Sequence, residues 1–167
     1  MVALLLAASC SSPDAAVEKG DFDVTGNATD WASLQRSGNP RDWLLAPPDL
    51  APVPGTPDQA PPVFPVSAQR LADAWAAVVR AQPRAAIVAV SDDGLRIDAE
   101  QRSRLMGFVD RIAMRAVPVG DDRATLAVYS RAAIGYYDFG VNRRRVQSWL
   151  AELAERLEQA PTAPPSL

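Results

Sequence analysis

The stretch "LRIDAEQRSRL", residues 95–105, alternates between apolar and charged or polar side chains. Leu95, Ile97 and Ala99 fall on one side of an extended chain, and a charged set falls on the other. That outward set is Arg96, Asp98, Glu100, Arg102 and Arg104. Because successive side chains of a β-strand point to opposite faces, this pattern predicts an antiparallel strand with one buried face.

Neighbouring stretches extend this strand into a sheet. "VDRIAMRAVPVG" (109–120) and "RATLAVYSRAAIG" (123–135) alternate in the same way, and the second pattern places Ile134 inward and Tyr129 outward. "RAAIVAVSDDG" (84–94) predicts a strand closed by an Asp-Asp-Gly turn. The apolar "VFPV" (63–66) predicts a short edge strand, since an edge tolerates proline.

Two helices complete the predicted fold. Ser67 is a suitable N-cap for a helix that ends before Pro83. The apolar residues of the last helix recur at spacings of 4, 3 and 4, at Val146, Leu150, Leu153 and Leu157. The fold class is therefore α+β, a small antiparallel sheet with two helices packed on one face and a Pro-rich extended segment before it.

The predicted core lies between the helices and the apolar face of the sheet. The helices contribute Leu71, Trp75, Val146 and Leu150, and the sheet contributes Ile97, Ile112, Met114, Leu126 and Val128. The opposite face carries Arg96, Arg102, Arg104, Arg111, Arg115 and Arg131 beside Asp98 and Glu100. Cross-strand charge pairing on a solvated face is the favoured interpretation, and a surface for anionic head groups or polymers is the alternative.

Composition divides the chain into four segments. Residues 1–10 form a signal-like segment, and residues 11–61 form a tether and Pro-rich lead-in. Residues 62–159 form the α+β domain, and residues 160–167 form a tail expected to be disordered. Eight prolines in the twenty residues 46–65 predict an extended backbone there.

The lead-in also contains side chains that are too apolar for a free linker. Trp31, Trp43 and Leu44 flank a Gly-Asn-Pro turn signal. We expect the lead-in to lie across the domain and to be held there by these three residues.

The first ten residues, "MVALLLAASC", resemble the end of a bacterial lipoprotein signal, in which the cysteine is lipidated. The resemblance implies lipidation at Cys10, a location in the bacterial cell envelope facing the periplasm, and the membrane as a partner through the lipid anchor. The alternative is an apolar N-terminus with an incidental free cysteine.

The chemistry available to the chain is narrow. It has no histidine, a single cysteine and a net charge of −3. These features exclude Ser–His and Cys–His catalysis, a disulfide framework and a thiolate metal cluster. They give no basic field that would attract nucleic acid. We expect no enzyme activity, no cofactor, no metal site and no nucleic-acid partner.

Three motifs carry a family resemblance. They are "DGLRIDAEQRSRLMGFVD" (93–110), "FVDRIAMRAVP" (108–118) and "YSRAAIGYYDFGVNRRRVQSWLAEL" (129–153), which together resemble the bacterial and plastid family called domain of unknown function 1499. The specific matches are Tyr129, Ser130, Arg131 and the run from Asp138 to Arg143. The similarity covers roughly residues 62–158. It implies the fold, and it implies no reaction because the family has no established activity.

The candidate site lies where the last helix begins. If Asn142 caps this helix, three arginines occupy its first turn, where the helix dipole disfavours cations by about 0.3–1 kcal/mol each. At about 100° per residue, Arg143 points along the buried stripe, and Arg144 and Arg145 point to solvent. We predict that Arg143 pairs with Asp138 or Asp110, and that Gly140 allows the backbone turn.

Arg131 joins these residues as a candidate, because the resemblance singles out its strand end. The cluster of Asp110, Arg131, Asp138, Asn142 and Arg143 has two interpretations. The first is a structural ion pair at the start of the helix. The second is a site where Arg143 and free helix N–H groups hold an anion.

Three functional hypotheses follow. The favoured one is a non-enzymatic envelope lipoprotein with a structural or binding role at the membrane. The second is a module that binds a small anionic ligand, a lipid head group or another envelope component. The third is a hydrolase that uses the carboxylates of Asp98 and Glu100, which is disfavoured because flanking arginines would keep both ionised.

Overall fold

The computed structural model describes residues 28–104 and 107–159. Five strands and two helices follow one another as β1 (Asp42–Leu45), α1 (Ala68–Ala81), β2 (Ala85–Val90), β3 (Arg96–Arg102), β4 (Val109–Gly120), β5 (Arg123–Ala132) and α2 (Val141–Gln159). The sheet order is β1-β5-β4-β3-β2, and every neighbouring pair is antiparallel. The predicted α+β class is confirmed. Cys10 and the tail 160–167 lie outside the described residues.

Both helices cover one face of the sheet and form the main core there. The predicted sheet residues Ile97, Ile112, Met114, Leu126 and Val128 are all buried in this core. Leu71, Trp75 and Val146 are buried with them, while Leu150 is only partly buried at the margin. Trp75 meets Trp149 edge to face, with ring centroids 5.6 Å apart.

The start of α1 is the one that the sequence predicts. Ser67 has an extended backbone, and its hydroxyl oxygen accepts a hydrogen bond from the Arg70 N–H at 3.3 Å. This is the usual N-cap arrangement, which satisfies one of the free N–H groups of the first turn.

The lead-in contributes a strand that the sequence analysis did not predict. β1 pairs with β5 over its whole length, so the folded unit begins upstream of residue 62, where its start was expected. The chain then returns along the outer edge of β1. There Ala46 N–H donates to Gln59 O at 3.1 Å, and Asp58 N–H donates to Leu44 O at 2.8 Å.

The second face of the sheet is covered by the lead-in. Trp31, Leu34 and Leu44 pack there against Tyr129 and small residues of β4 and β5, with Leu50 and Val53 at the margin. Tyr129 points outward from the helices, as predicted, but it is fully buried. The expectation that this face is solvated is therefore wrong for the part under the lead-in.

Two strand predictions also need correction. "VFPV" forms no strand, and only Phe64 makes an isolated bridge, to Ala124. β5 ends at Ala132, so Ile134, which was predicted to point inward, is 62% exposed. The alternation of apolar residues continues beyond Ala132, so it does not indicate where β5 ends.

Candidate functional site

A buried polar network joins the first turn of α2 to the sheet, and Arg145 lies at its centre. The Arg145 guanidinium forms an ion pair with Asp110 on β4, and both side chains are buried. Its Nε donates to Gln101 Oε1 at 2.7 Å, and its Nη1 donates to Ser130 Oγ at 3.1 Å and to Asn142 Oδ1. Four side chains therefore satisfy one guanidinium.

Asn142 connects this network to β1 and to the loop before α2. Its Oδ1 accepts from Ser130 Oγ at 2.7 Å, and its Nδ2 donates to the Arg41 carbonyl and to Asp138 Oδ2, both at 2.8 Å. The side chain is fully buried and every polar atom has a partner. Asn142 is therefore an internal cross-link, and the prediction that it caps the helix is wrong.

The cap is supplied by Asp138. Its carboxylate accepts from the Gly140 N–H and from the Asn142 N–H, both at 2.8 Å. The carboxylate also suits the positive end of the helix dipole. Gly140 has a φ of +72°, the left-handed conformation for which glycine was expected at this position.

Arg143 does not occupy the place predicted for it. It is exposed, and its guanidinium lies over the Trp43 ring, 5.1 Å from the centroid. The buried face of α2 is formed by Asn142, Arg145, Val146, Trp149 and Leu153. The predicted stripe left out Trp149 and was centred on Leu150, which rotated the face and selected the wrong arginine.

Arg131 lies on the other face of the sheet, away from the Arg145 network. Arg131 is directly opposite Asp42 of β1 in the β1–β5 ladder. The Asp42 carboxylate accepts hydrogen bonds from Arg36, from Ser37 and, at 3.0 Å, from the Tyr129 hydroxyl. The candidate cluster is thus divided between two faces. Asp110, Asp138 and Asn142 come together around Arg145, whereas Arg131 belongs to the face under the lead-in.

The Asp42 group is a second structural cross-link. Burial raises the pKa of Asp42, but hydrogen bonds from Arg36 and Ser37 outweigh it and hold that pKa below its usual value. Burial, followed by the charge of Asp42, raises the pKa of the Tyr129 hydroxyl. The lowered pKa keeps Asp42 ionised as an acceptor, and the raised pKa keeps the Tyr129 hydroxyl protonated as a donor. The resulting hydrogen bonds fix the lead-in to β1 and β5.

Asp98 and Glu100, the pair considered for hydrolysis, have different surroundings. Asp98 is buried, and its Oδ2 accepts from both the N–H, at 2.7 Å, and the hydroxyl of Thr29 in the lead-in. Burial raises the pKa of Asp98. Glu100 is paired with Arg111 at 3.4 Å, directly across the β3–β4 ladder. The lead-in covers one carboxylate and a cross-strand arginine engages the other.

The loop between β5 and α2, residues 133–140, presents a set of exposed apolar side chains; we call it the aromatic loop. Its exposed members are Ile134 (62%), Tyr136 (72%), Tyr137 (55%) and Phe139 (77%), and Val141 (40%) follows at the start of α2. Phe108 (41%) adds to it, since the Val109 carbonyl accepts from the Ala133 N–H.

The backbone of the aromatic loop is held firmly. Arg41 Nη1 donates to the Gly135 carbonyl at 3.0 Å, and Arg144 Nη1 donates to the Phe139 carbonyl at 2.9 Å. The Asp138 N–H donates to the Pro40 carbonyl at 3.4 Å. Tyr137 and Phe139 stack edge to face, with centroids 5.1 Å apart. The apolar side chains are therefore presented on a fixed backbone.

The sequence profile of a family described as Protein of unknown function (DUF1499) matches residues 12–153. The chain belongs to this family. The match begins well upstream of residue 62, in agreement with the part that the lead-in takes in the fold of this DUF1499 protein.

Comparison with other proteins adds little more. No curated protein matches the chain. Among solved structures, TTHA0849 from Thermus thermophilus is 15% identical, with a TM-score of 0.35 over 62% of this chain and 97% of that chain. A likeness at this level carries no functional argument.

Within residues 28–104 and 107–159, no group of three or more His, Cys, Asp or Glu side chains could hold a metal ion. No helix in the same residues is long and apolar enough to cross a membrane.

Two features near the start of α2 were not predicted from the sequence. The first is Arg145, which Trp149 would have indicated had it been counted in the buried stripe. The second is the exposure of the aromatic loop, for which the sequence carries no clear signal, because aromatic residues after a strand are as typical of a core.

Proposed function

We propose that this DUF1499 chain is a non-catalytic domain that rests on a membrane surface of the cell envelope, tethered by lipid at Cys10. The observation that carries this proposal is the aromatic loop, which exposes large apolar side chains at one end of the sheet. Soluble proteins seldom expose contiguous apolar patches of this kind without a binding partner.

The chemistry of the loop suits the boundary between water and lipid. Tyrosine has an apolar ring and a polar tip, and it is enriched where one end of a side chain is dry and the other wet. Tyr136 and Tyr137 carry this character, while Ile134 and Phe139 are wholly apolar. Transfer of each such side chain from water contributes about 1.5–3 kcal/mol when burial is complete.

Arginines at the base of the loop favour an anionic bilayer. Arg143 and Arg144 are both exposed in the first turn of α2, next to Phe139. A basic residue close to an anionic membrane surface contributes about 1 kcal/mol. The helix dipole disfavours these arginines within the fold, and phosphate head groups would compensate that cost.

The loop and the lipid would act together. The lipid on Cys10 would hold the chain at the bilayer, and the loop would fix the orientation of the domain on it. The polar network around Arg145 supports this role, because it joins the loop to the sheet through Asn142 and Asp138.

The test uses the full chain carrying Cys10→Ser, so that only the loop can bind. We expect it to sediment with vesicles of phosphatidylglycerol and phosphatidylcholine, and less with phosphatidylcholine alone. The double change Tyr137→Ser and Phe139→Ser should weaken binding at least about tenfold, since partial burial of two aromatic rings is worth more than about 1.4 kcal/mol.

A control variant removes two exposed apolar side chains elsewhere. Val63 and Val119 are 44% and 49% exposed, and both lie towards the opposite end of the sheet. Changing both to serine should leave vesicle binding unchanged. Equal binding by the loop variant and the control variant, or no binding by the parent chain, would contradict the proposal.

A further inference from the structure

A cleft of about 350 Å³ lies between the lead-in and the sheet, on the face opposite the helices. Its floor carries Arg96 of β3 and Arg115 of β4. Asp30 and Trp31 of the lead-in form one wall, and Asp93 of the β2–β3 turn contributes to the other. The volume is at the small end of the range for sites that hold small molecules.

Two pairs of arginines are directly opposite each other on this face, Arg96 with Arg115 and Arg111 with Arg131. Like charges in that position are destabilising. The second pair has carboxylates across the neighbouring ladders, Glu100 opposite Arg111 and Asp42 opposite Arg131. Neither Arg96 nor Arg115 has a carboxylate within ion-pair distance among the described residues.

The charge of Arg96 acts on two carboxylates of this region, Asp98 and Asp93, but neither forms an ion pair with it. Asp98 lies two residues after Arg96, and its Oδ2 accepts two hydrogen bonds from Thr29. Two arginines that are cross-strand neighbours and line one cleft are suited to one oxyanion with several acceptor oxygens, such as a phosphate ester.

The walls add a second requirement, because they carry negative charge. Asp30 Oδ1 accepts from the Ala32 N–H at 3.0 Å, and Asp93 Oδ1 accepts from the Leu95 N–H at 3.0 Å. These bonds fix both carboxylates at the cleft. A simple anion would be repelled by these two aspartates, and a simple cation would be repelled by the two arginines.

We propose that the cleft binds a small soluble zwitterion that joins a phosphate ester to an ammonium group. The phosphate lies on Arg96 and Arg115, and the ammonium group lies against Asp30 and Asp93. Both charges of the ligand are then matched by the lining.

The position of the cleft indicates a soluble ligand and not a lipid of the contacted bilayer. β4 begins at Val109, beside the aromatic loop, and reaches the cleft at Arg115, roughly 20 Å away at about 3.3–3.4 Å per residue. A domain that rests on its aromatic loop holds the cleft away from that membrane. The choice of a soluble source rests on the proposed function, whereas binding of the zwitterion itself does not, because cleft and loop share no residue.

The experiment is a titration of the full chain with glycerophosphoethanolamine. Binding is measured by calorimetry and by the change in the indole NMR signal of Trp31. Glycerol 3-phosphate and ethanolamine are the two half-ligand controls. We expect the zwitterion to bind at least about tenfold more tightly than either half, which is the effect of adding one matched charge pair of about 1.4 kcal/mol.

Variants separate the two charge contacts. Arg115→Gln should weaken the zwitterion at least about tenfold, and Arg80→Gln, an exposed change on α1, should have no effect. Asp30→Asn keeps the oxygen that caps Ala32 but loses the charge, so it should weaken the zwitterion and strengthen glycerol 3-phosphate.

Two results would overturn the inference. One is glycerol 3-phosphate binding as tightly as the zwitterion in the parent chain, which would mean a plain anion site. The other is the absence of both heat and any change in the Trp31 signal. Vesicles of phosphatidylethanolamine should not compete with the soluble ligand, and competition by them would contradict the assignment to a soluble source.

Discussion

Arg145→Ala is expected to destabilise the domain by about 3–5 kcal/mol, the usual cost of breaking a buried ion pair. Asp110 would remain buried without its counter-ion, and Ser130 and Asn142 would each lose a hydrogen bond inside the fold. A domain of this size has only about 5–15 kcal/mol of stability, so the change approaches unfolding.

Urea unfolding of the chain measures this effect, with Arg144→Ala as the matched control. Arg144 is one residue away on the same helix turn, is exposed, and makes one exposed hydrogen bond to Phe139. Its loss should cost less than about 1 kcal/mol. Asp110→Asn should be as costly as Arg145→Ala, and the double variant should lose less than the sum of the two. Equal, small losses for Arg145→Ala and Arg144→Ala would show that the network is not structural.

Trp75→Ala is expected to cost about 3–5 kcal/mol, as large-to-small changes of buried aromatic residues do. Trp75 is fully buried in α1 between the sheet and α2, and it packs edge to face on Trp149. The cavity would open in the main core, where side chains of both helices pack against the sheet.

Trp75→Phe provides the contrast in the same unfolding experiment. The indole N–H of Trp75 is buried without a hydrogen-bond partner, which is an unfavourable feature of the native state. Phenylalanine removes that group and keeps most of the ring, so we expect a loss of less than about 1.5 kcal/mol. A near-neutral Trp75→Ala would mean that the core between α1 and α2 is not packed as described.

The regular parts of the fold were predictable because side-chain periodicity reports them directly. Alternation along residues 95–105, 109–120 and 123–135 identified three strands and their buried faces, and the first and third strands end earlier than predicted, at Arg102 and Ala132. Ser67 and the apolar stripe that contains Leu71 and Trp75 identified α1. In each case, one local pattern determined both the element and the face that it buries.

β1 was not predictable in this way, because Asp42–Leu45 is four residues long and lies between prolines. It becomes a strand only because β5 offers an unpaired edge and because Arg36, Ser37 and Tyr129 hold Asp42 in place. These contacts depend on tertiary structure and are not encoded in the four residues themselves.

The structure brings together only part of the predicted cluster. Asp110, Asp138 and Asn142 do meet at the foot of α2, but the arginine that joins them is Arg145 and not Arg143. One omitted residue, Trp149, shifted the predicted buried face enough to select the wrong arginine. The opposition of Arg96 and Arg115 depends on the register between β3 and β4, which periodicity does not determine.

The most direct test of the membrane contact is a label on the aromatic loop itself. In the Cys10→Ser chain, Phe139→Cys is labelled with a polarity-sensitive fluorophore, and Asp121→Cys in the β4–β5 turn serves as the control site. On anionic vesicles, we predict a blue-shifted emission at position 139 that lipids with shallow nitroxide groups quench, and no change at position 121. Emission at position 139 that stays the same with and without vesicles would contradict the account.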